Sequence, residues 1–276
     1  MAEEGRKGRA DQARPFAQQS PKGAPKGASR GAPRNALWEN IKGILVVVVV
    51  FFVFRAFVVE AYRIPSGSMI PTLLVGDWLF VNKMAYGPHI PFTDARLPGY
   101  REPTKGDVVV FVSPYQADEA ARGNDPEPTL VKRLVGTGGD TLYMRAAQLY
   151  VNGVASNRPA SAVDPARQVP PQPDYPDPES FGWQHRYEIT GSRFGNPPAQ
   201  PMHDNWGPIV VPPGHLFMMG DNRYDSKDSR YWGFVPRDNV RGRPTFVYYS
   251  YNADDSDRPL PFITDIRWSR IGHWIR

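Results

Sequence analysis

Cysteine is absent from the 276 residues. That excludes a thiol nucleophile, thiolate-ligated zinc, an iron–sulfur cluster and disulfide bracing, and it leaves the redox compartment open, because a thiol-free chain can work anywhere. Histidine is sparse and scattered, at His89, His185, His203, His215 and His273. There is no His-Glu-x-x-His, and past the basic tail, whose Gly27-Ala28-Ser29-Arg30-Gly31 has no strand-like run before it or helical pattern directly after it, no Ser stands within Gly-x-Ser-x-Gly, so the metal-hydrolase and nucleophile-elbow patterns both lose support. No metal site and no cofactor are expected. An excess of one charge is also missing from most of the chain. The net charge is +5, and residues 1–36 account for it with eight Lys or Arg against three acidic residues. The remaining 240 residues carry 25 of each sign. A basic nucleic-acid surface on the body is therefore not expected, and DNA binding through the tail is a weaker alternative.

Residues 1–36 are rich in Gly, Ala, Pro, Gln and Lys, with Phe16 the lone aromatic. Such a segment buries too little apolar surface to offset the entropy of ordering and is expected to be a disordered tail. The text then changes. Ile44 to Phe54 is an unbroken apolar run, followed by Arg55 and Ala56-Phe57-Val58-Val59. This suits one membrane-spanning helix over 37–60, with Trp38 at the near interface and Arg55 reaching the far one. The positive-inside rule puts the tail in the cytoplasm and residues 61–276 on the other side. A cleaved secretory signal ending at Val59-Glu60-Ala61 and a buried Val-rich strand are the competing readings.

Past the anchor no long stretch has 3.6-residue periodicity and no repeat is visible. Short β-like runs follow one another instead: Trp78–Val81, Val108–Val112, Leu130–Val135, Thr141–Tyr143, Leu149–Val151 and Phe246–Tyr251. Turn signals such as Gly76-Asp77, Gly106-Asp107, Gly139-Asp140 and Asn152-Gly153 separate them. The fold class is thus all-β, mainly antiparallel, in a body over 61–276. Residues 155–182 hold seven Pro, and the region of about 155–205 reads as an irregular Pro-rich insertion.

Three segments carry chemistry. The first is Arg63-Ile64-Pro65-Ser66-Gly67-Ser68-Met69-Ile70-Pro71-Thr72-Leu73. Two prolines restrict the backbone around Ser-Gly-Ser, a frame able to present a hydroxyl rigidly, although an ordinary juxtamembrane linker would read the same way. A hydroxyl nucleophile needs a base, and the histidines are poorly placed for it. The second segment, Leu130-Val131-Lys132-Arg133-Leu134-Val135, offers a lysine. Alternation sets Lys132 on one face and Arg133 on the other, so one of them meets apolar company whichever face is the core. Desolvation can make a lysine a base near neutral pH, whereas arginine stays protonated; a Lys with its head in water remains the plain alternative. The third segment is Gly220 to Gly233. It fails as a calcium loop, because Ser226 stands where Gly is required and Arg223 and Lys227 oppose a cation. Asp228 and Arg230, two apart, would share a face if extended and could support a neighbouring group.

In this order and after a membrane anchor, the three segments resemble the bacterial type I signal peptidases, membrane serine proteases that remove signal peptides from exported proteins. The resemblance extends to Gly76-Asp77 with Lys83 and Tyr86-Gly87, to Gly106-Asp107-Val108-Val109-Val110-Phe111, and to Lys132 through Asp140. It implies Ser68 as nucleophile, Lys132 as general base, and Ser66 with the Ser68 amide as oxyanion hole. Ser226 would orient the lysine, with Asp228 and Arg230 as a supporting ion pair. Ile64, Pro65 and Val131 would line shallow pockets for small side chains at −1 and −3 of an extended substrate. Met69 and Leu73 could face lipid as well as core. The implied partners are signal peptides and the lipid bilayer, at a bacterial inner membrane crossed once, with no cofactor. Two departures stand out: Gly138 where the family commonly has Pro, and Tyr224-Asp225 where an acidic residue and Asn are usual. A Ser-Lys protease with a narrow substrate set and a tethered β binding module are the alternatives.

Overall fold

The computed structural model describes residues 36–93, 95–156 and 177–276. The basic tail and residues 157–176 of the Pro-rich insertion lie outside the described residues.

Helix α1 spans Ala36–Phe57. Its 22 residues rise about 33 Å at 1.5 Å each, enough for a hydrocarbon core of about 30 Å. A helix satisfies its own backbone, the condition lipid imposes. The segment Trp38–Phe57 is long and apolar enough to cross a membrane. It stops at Phe57 rather than at residue 60, because Val59 and Glu60 already belong to strand β1, Val59–Arg63. There Glu60 sits opposite Val81 and pairs with Lys83 at 3.3 Å.

The other strands are β2 Asp77–Asn82, β3 Val108–Val112, β4 Thr129–Thr137, β5 Thr141–Arg145, β6 Gln148–Val151, β7 Val154–Ala155, β8 Trp206–Val210, β9 His215–Met219, β10 Val235–Pro236 and β11 Val240–Ser250. They form a seven-stranded sheet ordered β1-β2-β11-β3-β4-β9-β10 and a four-stranded sheet ordered β7-β6-β5-β8. The pairings are antiparallel, as expected for strands joined by short turns.

Strand β3 explains why a run as uniform as Val-Val-Val-Phe-Val is a strand. Val108 and Val110 enter one core with Ile64, Met69, Leu73 and Leu79, while Val109 and Phe111 enter another with Leu134, Leu216 and Met218. A strand covered on both faces needs no polar alternation. Met69 and Leu73 are fully buried, so neither faces lipid. A third core joins the sheets through Val135, Leu142, Trp206 and Phe217.

The Gly-Asp turns share one device. Asp77, Asp107 and Asp140 each accept the backbone N–H three residues earlier, from Leu74 at 2.9 Å, Thr104 at 2.9 Å and Thr137 at 2.8 Å. Each carboxylate closes the turn that launches its strand. The described part of the insertion holds regular structure despite its proline content. Residues 178–187 form a short helix and a 3-10 turn, with Phe181 and Gln184 buried and Trp183 packed on the third core. Aromatic burial there outweighs the local composition.

Candidate active site

The Ser-Gly-Ser segment leaves β1 under tight control. Ile64 donates to the Asp77 carbonyl at 2.8 Å and accepts from Gly76 at 3.0 Å. Ser66 is extended, and Gly67–Met69 is a single 3-10 turn. Met69 plugs the core directly after Ser68, so the nucleophile candidate cannot move without unseating a buried side chain. Ser66 precedes the turn without a capping bond from its hydroxyl. The Ser68 amide belongs to the first turn, where backbone N–H groups have no intrahelical acceptor.

Lys132 sits on β4 opposite Val109 of β3 and is only 3% exposed. Burial pushes its ammonium down from 10.5 to about 8, although Asp228 pulls the other way. Lys132 Nζ donates to Ser226 Oγ at 3.1 Å. Gly220, just past β9, makes this approach possible. A Cβ at Gly220 would stand 2.5 Å from both Ser226 Cβ and the Ser68 carbonyl oxygen, so the first and third segments meet through a position with no side chain. Asn222 ties the same junction, its N–H donating to the Ser68 carbonyl at 3.1 Å and its Nδ2 to the Gly67 carbonyl at 3.2 Å.

The alternation puts one of the two basic residues in apolar company; both are buried, because β4 is covered on both faces. The Arg133 fork grips Asp221 at 2.7 and 2.6 Å, and Thr72 donates to the same carboxylate at 2.5 Å. Asp228 and Arg230 do pair, but not as neighbours on an extended face. Asp228 caps the short helix Ser229–Trp232 and accepts Arg230 Nε and Nη2, each at 2.8 Å. Burial alone would raise the Asp228 carboxyl, and the guanidinium outweighs it, holding the acid at about 2. Arg230 Nη2 also donates to the Ser226 carbonyl at 3.3 Å, so this pair braces the turn that carries the Ser226 hydroxyl.

Ser66, Ser68, Ile64, Pro65, Val131 and Lys132 line one small cleft of about 60 Å³, along with Tyr62 and Leu130. Ser226, Asp228 and Arg230 stand behind Lys132 rather than in its wall. All nine residues singled out in the sequence thus converge on one place. Gly220 and Asn222 were not assigned roles, since a missing side chain and a backbone clamp leave no chemical signature in a sequence. Among the described residues no group of His, Asp or Glu could hold a metal ion, and the arrangement is suited to acyl transfer by a hydroxyl and an amine.

Comparison with known proteins places the chain in a family. A family described as signal peptidase, peptidase S26, matches residues 37–249. Signal peptidase I of Pseudomonas aeruginosa is 36% identical over 86% of this chain and 78% of its own length. That of Haemophilus influenzae is 31% identical over 81% and 73%, and that of Aquifex aeolicus 32% over 75% and 81%. Among solved structures, a signal peptidase I from Enterococcus faecalis is 26% identical, covering 52% of this chain and 97% of that one, with a TM-score of 0.30. The chain belongs to the S26 signal peptidase family. It is a serine endopeptidase of signal-peptide removal, and its substrates are preproteins that carry signal peptides.

Proposed function

We propose that Ser68 is the nucleophile and Lys132 the general base of this peptidase. The observation that carries the proposal is a buried lysine, depressed to about 8, in the cleft it shares with Ser68. Lys132 takes the Ser68 hydroxyl proton as Oγ attacks the carbonyl carbon at the scissile bond. The oxyanion so formed accepts from the Ser66 hydroxyl and the Ser68 amide, donors of a kind worth about 100-fold or more each in rate. Lys132 then gives the proton to the departing amine. An ester on Ser68 remains, and a water that loses its proton to Lys132 hydrolyses it. Ser226 orients the amine throughout.

An extended signal peptide lying along the cleft turns residues −1 and −3 to the same side, toward Ile64, Pro65 and Val131. So small a space admits Ala-sized side chains. The protein spans the inner membrane once through α1, with its tail in the cytoplasm and its body outside, as the charge asymmetry directs. Exposed Leu260, Phe262, Ile263, Trp268 and Trp274 support contact of the body with the lipid surface.

The test is cleavage of a purified preprotein with an Ala-x-Ala site by the detergent-solubilised chain, with product masses, for wild type and Ser68→Ala. Wild type cuts after the second Ala and the variant does not. Cutting by both would remove Ser68 from the mechanism, and two inert proteins would remove this substrate class.

A further inference from the structure

His203 lies within the Pro-rich insertion and has no role in the chemistry above, yet it touches the group behind the catalytic lysine. Arg230 is wholly buried, so each face of its guanidinium needs an acceptor. Nε and Nη2 use Asp228, and Nη2 also reaches the Arg223 carbonyl at 2.8 Å. The remaining arm, Nη1, meets His203 Nε2. For Nε2 to accept, the proton must sit on Nδ1, and Asp204 secures that tautomer by accepting from Nδ1 at 2.6 Å. The rings of Tyr224, stacked, and Tyr231, tilted, each lie 6.2 Å from the imidazole.

We propose that His203, its tautomer set by Asp204, is a positioning residue that completes Arg230 and through it fixes Asp228 and Ser226 around Lys132. The proposal rests on Lys132 being the base. Its direction follows from charge. Asp228 favours the ammonium of Lys132 and Arg230 disfavours it. An Arg230 without the acceptor for its Nη1 grips Asp228 and the Ser226 carbonyl less firmly, Asp228 acts more strongly on Lys132, and the lysine holds its proton to higher pH. The groups facing His203 are Asp204, Arg230, Tyr224 and Tyr231, with the Arg223 carbonyl 3.0 Å from Nε2.

The experiment measures kcat and KM against pH for the full chain in detergent, on a preprotein with an Ala-x-Ala site. His203→Leu is expected to move the acid limb of kcat up by about half a pH unit or more, a roughly threefold loss of free amine on that limb, with KM within about twofold. His203→Gln, whose amide oxygen can accept from Arg230, restores the wild-type limb. An unmoved acid limb in His203→Leu, or a Gln variant as impaired as Leu, overturns the proposal. Should His203→Leu fail to fold by thermal melting, Asp204→Ala frees the tautomer and carries the same test: an upward shift supports the proposal and an unchanged limb overturns it. Lys132→Ala runs alongside. If it cuts at the wild-type rate, the assignment of the base fails, an outcome distinct from an unmoved limb in an enzyme that needs its lysine.

Discussion

The deprotonation of Lys132 sets a pH dependence for both rate and stability. Burial lowers its pKa from 10.5 to about 8, a difference worth about 3 kcal/mol at roughly 1.4 kcal/mol per pH unit. At pH 7 about one amine in ten is then free, against about one in three thousand for an ordinary lysine, so with Lys132 as the proposed base burial would multiply the competent enzyme about 300-fold. The kcat/KM for preprotein cleavage should rise tenfold per pH unit below about 8 and level off above it. The same burial costs stability. The native amine loses its proton through pH 8 and the unfolded one through 10.5, so between these values the unfolded state binds more protons and stability increases with pH. Below pH 8 the full penalty applies. Lys132→Met should therefore be inert and yet, at pH 7, up to about 3 kcal/mol more resistant to denaturant. A rate that climbs only above pH 10, or a Lys132→Arg enzyme of full activity, would refute the reasoning.

Two further substitutions separate the parts of the site. Gly220→Ala drives a methyl group against Ser226 and the Ser68 carbonyl; kcat should fall by about 100-fold while KM changes little, because a displacement of an ångström between reacting groups costs about that much, and steady-state kinetics on the preprotein would show it. Asp228→Asn leaves Arg230 buried without its counter-charge and should cost about 3–5 kcal/mol in a denaturant titration; a loss below about 1 kcal/mol would mean that the pair contributes little to holding the turn.

Much of the site can be read along the chain because its chemistry is concentrated in three short segments. Ser66, Ser68 and Lys132 are candidates by type and surroundings, a framed hydroxyl in one case and a lysine between apolar residues in the other, and the resemblance to the signal peptidases is what gives each its expected role. The strands at Val108–Val112 and Leu130–Val135 are legible for the same reason, since β-branched runs bounded by Gly-Asp turns have few other conformations open to them. Strand β9 was not anticipated, because His215–Met219 lacks alternation and β-branching and becomes a strand only by pairing with β4. Likewise the helix stops at Phe57 because Val59 has a partner in Asn82, a contact no local pattern contains.

By itself the sequence determines an apolar segment long enough to cross a membrane, the β character of the body, the absence of thiol chemistry, and the candidates for nucleophile and base. These are local properties: hydropathy, turn chemistry and side-chain type act over a few residues. Only tertiary structure decides which basic residues are buried. Lys132 and Arg133 alternate along β4, yet both are enclosed because sheet neighbours and loops cover both faces. One faces Ser226, and the other is neutralised by Asp221. The depressed lysine is a property of that enclosure, since desolvation depends on what surrounds a charge and not on its neighbours in the chain. The contact of His203 with Arg230 is of the same kind, joining positions 27 residues apart that only the packed body brings together.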